Sequence, residues 1–131
     1  MDPQRLGDVA RRHGIRLLLR FGSMVTGRPH PQSDLDLAVL LDAAPATFDA
    51  HAALVDDLQA LHPGQDVDVA IVNRADPLLL KQIAEHCELV YGAVSDLHEL
   101  KIYAFKRYQD HRRYLDQERM YVERVINATA P

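Results

Sequence analysis

Apolar positions along this chain recur at two different periods, and each change of period marks an element boundary. Leu6, Val9, Ala10 and His13 lie at helical spacing behind Asp2-Pro3, which reads as an N-cap followed by proline at the first helical position. Gly14 suits the C-terminal cap. Ile15 to Phe21 is mostly apolar despite Arg16 and Arg20, which predicts a buried strand. Gly22 to Gln32, with two Gly and two Pro, predicts a loop. Ser33 to Leu41 predicts a second strand, with Leu35, Leu37, Val39 and Leu41 on one face and Asp34, Asp36, Ala38 and Leu40 on the other. Phe48, Leu54, Val55, Leu58 and Leu61 give helical periodicity to Thr47–Leu61. Asp66–Val72 predicts a third strand, and Asp76-Pro77 opens a helix to about Cys87. A short strand over Leu89–Tyr91 precedes a final helix from about Ser95 to Asn127, roughly 50 Å long at ~1.5 Å per residue. Strands alternating with helices predict an α/β (α+β) fold: a mixed sheet flanked by helices, with a long C-terminal helix.

Composition narrows the picture. The 131 residues suit one domain spanning 1–131, and 47% hydrophobic with 26% charged residues is ordinary for a globular protein. A formal charge of -4 argues against a basic nucleic-acid coat, so no direct nucleic-acid binding is expected. It leaves room for a nucleotide substrate, because a bound metal supplies positive charge locally. A lone cysteine, Cys87, excludes an internal disulfide and a cysteine-based zinc cluster. Without an apolar leader or a long apolar run, neither a signal peptide nor a membrane span is expected, and cytoplasm is the default.

The candidate chemistry lies between the first two strands. Asp34 and Asp36 are two apart, so their side chains leave one strand face about 6–7 Å apart. Such a pair repels itself unless a cation intervenes, and hard oxygen ligands suit magnesium or manganese. Alone, an Asp-x-Asp is also what a solvated strand edge presents. Gly22-Ser23, leaving the buried strand, can bring backbone N–H groups and a hydroxyl close to a phosphate. The loop returns Ser33-Asp34-Leu35-Asp36-Leu37 beside it.

Gly22-Ser23, ten residues, then Asp34-x-Asp36 resembles the signature of the DNA polymerase β-like nucleotidyltransferase superfamily, and the chain length resembles its minimal nucleotidyltransferase branch. Val67 to Leu78 looks like that branch's third-aspartate strand and following helix. The resemblance implies Asp34, Asp36 and Asp68 as ligands of two Mg2+ ions, with manganese as a substitute, and Asp68 as the group that helps activate the acceptor hydroxyl. It implies Gly22, Ser23 and Ser33 at the nucleotide, with ATP as substrate. Periodicity does not separate Asp68 from Asp66, which shares its face; the Asn73-x-Ala75-x-Pro77 run favours Asp68. Thr26 stands where the family often has arginine, and Arg28 is a candidate to serve instead.

Other phosphate chemistries fit less well. Asp-x-Asp phosphatases place their pair after an apolar strand, whereas here it opens one. Gly22-x-x-x-x-Gly27 lacks the Gly-Lys-Ser/Thr ending of a P-loop. A calcium loop would want a glycine and further oxygen ligands where Leu37–Leu41 is apolar. Single-domain members of the branch resemble the antitoxin half of HEPN–MNT toxin–antitoxin pairs, which implies a HEPN ribonuclease toxin as partner and a toxin tyrosine as AMP acceptor. A small hydroxylated acceptor such as an aminoglycoside, or a purely stoichiometric antitoxin, are the competing readings. The final helix bears on this, since Leu97, Leu100, Ala104, His111, Leu115, Val122 and Val125 form an interrupted stripe with four Tyr between. Its first half should pack on the sheet, while the part beyond about Lys106 is either a solvated tail or a docking surface.

Overall fold

The computed structural model describes residues 2–22 and 34–129. Ser23, Thr26, Arg28 and Ser33 therefore lie outside the described residues.

Helix α1 (Pro3–His13) starts as its sequence dictates, with the Asp2 carboxylate accepting from Gln4 N–H at 2.9 Å. It stops at Gly14, whose φ of 65° is the left-handed cap conformation. Strand β1 (Ile15–Phe21) pairs antiparallel with β2 (Leu35–Leu41) on one side and with β4 (Cys87–Tyr91) on the other. β3 (Val67–Ile71) runs parallel to β2 at the edge, giving the order β3-β2-β1-β4. Helix α2 (Phe48–Ala60), capped by Thr47, connects β2 to β3. A short 3-10 turn (Val72–Arg74) and α3 (Pro77–Glu85) lead to β4, and α4 (Val94–Thr129) ends the described chain. The expected mixed sheet with a long last helix is the fold observed.

Both faces of the central strands are buried. Leu18, Leu35, Leu37, Val39 and Leu41 pack under Leu6, Val9, Leu54 and Leu58 of α1 and α2. Leu17, Leu19, Phe21 and Ala38 pack under Leu80, Ile83, Leu97, Leu100 and Ala104 of α3 and α4. This double burial is why β1 reads as an apolar run without alternation. Arg16 and Arg20 are accommodated at its ends, against Asp96 at 3.2 Å and Glu88 at 2.7 Å.

Some boundaries differ from expectation. β2 begins at Leu35, with Asp34 just before it, and β3 covers Val67–Ile71, so Asp66 precedes the strand and Val72 belongs to the turn. Cys87 is strand, not the end of a helix, because it pairs with Phe21 of β1, and β4 thus starts two residues before the expected Leu89. The last helix is longer than expected, Val94–Thr129.

Candidate active site

The sheet has one end where β1 finishes and β2, β3 and β4 begin, and the candidate residues gather there. The register pairs Asp36 of β2 with Phe21 of β1 and with Asp68 of β3. Two carboxylates on neighbouring parallel strands thus stand side by side, on strands about 4.8 Å apart. They share the sheet face carrying Ala38 and Ala70, the one covered by α3 and α4. Asp34 adjoins from the residue before β2.

Electrostatics record the crowding. Partial burial, then the neighbouring charges of Asp68 and Asp34, hold the Asp36 carboxyl above its ordinary value. Acids that raise one another in this way are an arrangement that a hard divalent ion would relieve, and the donor set fits such an ion. Among the described residues, no three His, Cys, Asp or Glu side chains converge as a ready-made metal cage.

Gly22 follows β1 directly, with φ of 82°. A Cβ built there would collide with the Asp36 carboxylate, so glycine is what lets the chain turn against this acid. Asp66 and Asp68 are both exposed, but Asp66 precedes β3 and its carbonyl accepts from Leu35 N–H at 2.8 Å, while the register sets Asp68 beside Asp36. Geometry therefore separates the two acids that periodicity leaves equivalent, placing Asp68 and not Asp66 opposite Asp36.

Two amides not anticipated from the sequence fasten this framework. Gln59 of α2 binds backbone atoms on either side of Asp66. At the far end of the sheet, Asn73 accepts from Leu41 N–H at 3.0 Å and donates to Leu41 C=O at 2.8 Å. A cavity of about 530 Å³ is also near that far end, between Arg16, Asn73, Arg74, Glu99, Tyr103 and Arg107. It does not include the carboxylates and belongs to a different surface.

The family described as "Polymerase beta, Nucleotidyltransferase" matches residues 4–96. No curated protein matches the chain. Among solved structures, one toxin–antitoxin protein crystallised with AMP-PNP is similar at 23% identity and TM-score 0.72, covering 99% of this chain and 100% of that one. The MNT antitoxin complex with tri-AMPylated HEPN toxin from Shewanella oneidensis is similar at 21% identity and TM-score 0.65, covering 97% and 95%. A spectinomycin adenyltransferase from Enterococcus faecialis, solved with ATP and spectinomycin, is similar at 17% identity and TM-score 0.53, covering 74% of this chain and 57% of that one.

Proposed function

Because the chain belongs to the polymerase beta nucleotidyltransferase family, we propose that it transfers AMP from ATP to a tyrosine hydroxyl of a HEPN-type toxin, as the antitoxin of a cytoplasmic pair. Residues 1–131 act as one catalytic domain. The observation that carries the reading is the cross-strand pair Asp36–Asp68, with Asp34 and Gly22 against it at one end of the sheet.

In this reading Asp34, Asp36 and Asp68 hold two Mg2+ ions, and Gly22, Ser23 and Ser33 contact the phosphates. Bound there, the ions would neutralise charge on the leaving pyrophosphate and make the acceptor hydroxyl easier to deprotonate. Asp68, nearest the edge of the sheet, takes up the phenolic proton. The tyrosine oxygen forms its bond to the α-phosphorus as the bond from that phosphorus to the bridging oxygen breaks, and pyrophosphate leaves. A phenol is a suitable acceptor, with a pKa of about 10.

The choice of a protein acceptor rests on α4. Leu97, Leu100 and Ala104 are buried, whereas Tyr114, Leu115, Tyr121, Val122, Val125 and Ile126 are exposed. An apolar and tyrosine-rich overhang suits a partner protein better than a small molecule. The toxin–antitoxin neighbours match along nearly the whole chain, α4 included, while the spectinomycin enzyme matches over 74% of this chain and 57% of its own. The test is to mix the chain with labelled ATP, Mg2+ and the HEPN protein encoded beside it. Label on a tyrosine of that protein is expected. Label on a small hydroxylated compound instead would move the acceptor to the second reading, and tight binding without label would leave a stoichiometric antitoxin.

A further inference from the structure

We infer that Gln59 is a positioning residue for the Asp68 carboxylate, acting through the peptide bond between Asp66 and Val67. This rests on the proposed role of Asp68 and extends it to a residue on a different element. Among the described residues β3 is an edge strand: β2 lies on one side of it and no described strand on the other. The peptide bond between Asp66 and Val67 is nevertheless held on both sides. Its carbonyl accepts from Leu35 N–H of β2 at 2.8 Å, and its N–H donates to Gln59 Oε1 at 3.0 Å.

The same Gln59 amide donates through Nε2 to Gln65 C=O at 2.6 Å and to His62 C=O at 3.3 Å. One side chain thus bonds the outer side of the backbone over residues 65–67, where no described strand lies, ending one residue before Asp68. The stem of Gln59 leaves the last turn of α2, a helix whose Leu54 and Leu58 are buried in the core, so the clamp is anchored to a rigid element. Without it, Val67 N–H loses its partner, and the start of an edge strand frays readily. Asp68 would then drift from its register opposite Asp36. A site of this kind tolerates little such drift, because ligand groups must be held to about half an ångström.

Asn73 supplies the control. It clamps Leu41 with an equivalent pair of bonds, but at the opposite end of β2 from the carboxylates. Loss of either clamp loosens the sheet, and only the loss of Gln59 should reach Asp68.

The experiment measures Mn2+ binding to the full chain by electron paramagnetic resonance, with a non-hydrolysable ATP analogue present. Gln59→Met, which keeps the length of the stem, should weaken the Asp68-dependent ion about ten- to a hundredfold, the usual range for a group that orients a metal ligand. Asp68→Asn should weaken the same ion, and the double variant should be little worse than Asp68→Asn alone. Asn73→Leu should lower the melting temperature and leave Mn2+ binding as in wild type. Gln59→Glu keeps the acceptor for Val67 N–H but loses both donations, so an intermediate loss is expected, and it serves in place of Gln59→Met should that variant not fold. Wild-type Mn2+ binding in both Gln59 variants, beside a loss in Asp68→Asn, would overturn the inference and leave the proposed function standing. An equal loss in Asn73→Leu would reduce Gln59 to general stiffening of the sheet. If Asp68→Asn itself binds Mn2+ like wild type, the assignment of Asp68 falls, and this inference with it.

Discussion

Replacing Gly22 by alanine perturbs the site through a single methyl group, and a second glycine provides its reference. Gly22 and Gly64 have nearly the same backbone, φ of 82° and 81°, but a Cβ at Gly64 meets nothing within 4 Å, while one at Gly22 meets the Asp36 carboxylate. The left-handed conformation costs alanine about 1–2 kcal/mol, offset by about 0.4–1 kcal/mol from the stiffer unfolded chain. Gly64→Ala should therefore lose about 1 kcal/mol, a fall in melting temperature of roughly 3–5 °C for a domain of this size. Gly22→Ala carries the same loss plus the displacement of Asp36, about 0.5–1.5 kcal/mol if the side chain is driven off its rotamer. The two variants should thus differ modestly in stability and strongly in function. With ATP and Mg2+ at about 100 times Kd, wild type and Gly64→Ala should gain about 2.7 kcal/mol, seen as a raised melting temperature. Gly22→Ala should gain little of it, because Asp36 no longer stands where Asp68 and Asp34 meet it. A scanning-fluorimetry series on the three proteins decides the matter. If Gly22→Ala shows the full nucleotide-linked shift, the close approach of Gly22 to Asp36 has no bearing on binding, and the argument for this end of the sheet is refuted.

Further substitutions test other links. Asp34→Asn combined with Asp36→Asn should abolish the ATP–Mg2+ shift in the same melts, while a retained shift would remove both acids from the metal site. Asp68→Asn should cut AMP transfer by several orders of magnitude with ATP binding largely kept, and Asp66→Asn should be near neutral; the reverse order in the labelling assay would reassign the third carboxylate. Asp57 is held below its ordinary value of about 3.8, first by the bond from His13 at 2.6 Å and also by Arg12. A lowered carboxyl stabilises the fold above its unfolded value and loses that contribution as pH falls through the folded one. Asp57→Asn should therefore lower the melting temperature at pH 6, with the difference from wild type closing as pH falls below the ordinary value of 3.8. Truncation after His111 should weaken labelling of the protein acceptor while preserving ATP binding, because every candidate ligand lies upstream.

The sequence carried the site's acids more clearly than their pairing. Alternation along Leu35–Leu41 puts Asp36 on the face opposite Leu35 and Leu37, and the structure has it there, because period two is a local property. Asp66 and Asp68 have the same parity, so only the β2–β3 register, a property of two distant segments, separates them. Cys87 follows α3 with no glycine or proline to mark the helix end, and its pairing with Phe21 of β1 is equally non-local. Gln59 and Asn73 leave no trace in a pattern because they bind backbone, which every residue has. Periodicity also gives the stripe of α4 without the place where the globule ends. The structure moves that point past Lys106, since the Lys81 ammonium lies 5.0 Å from the centre of the Tyr108 ring and both Gln109 and His111 are partly covered.

That end point divides α4 into two thermodynamic objects. Residues 94–111 are stabilised by α3 and the sheet, but every residue of 112–129 is exposed and receives nothing from the globule. Its helicity in the free chain is that of a short peptide continuing an existing helix: nucleation is already supplied, and each further turn is close to neutral. The distal segment therefore frays from Thr129 inward, and a partner that grips it must also order it, which lowers the net affinity without changing a single contact. Substitutions on the solvent side of this segment then become a dial on association. A better helix former at an exposed position should tighten the proposed complex, and a glycine should loosen it, in either case without touching the partner or the carboxylates.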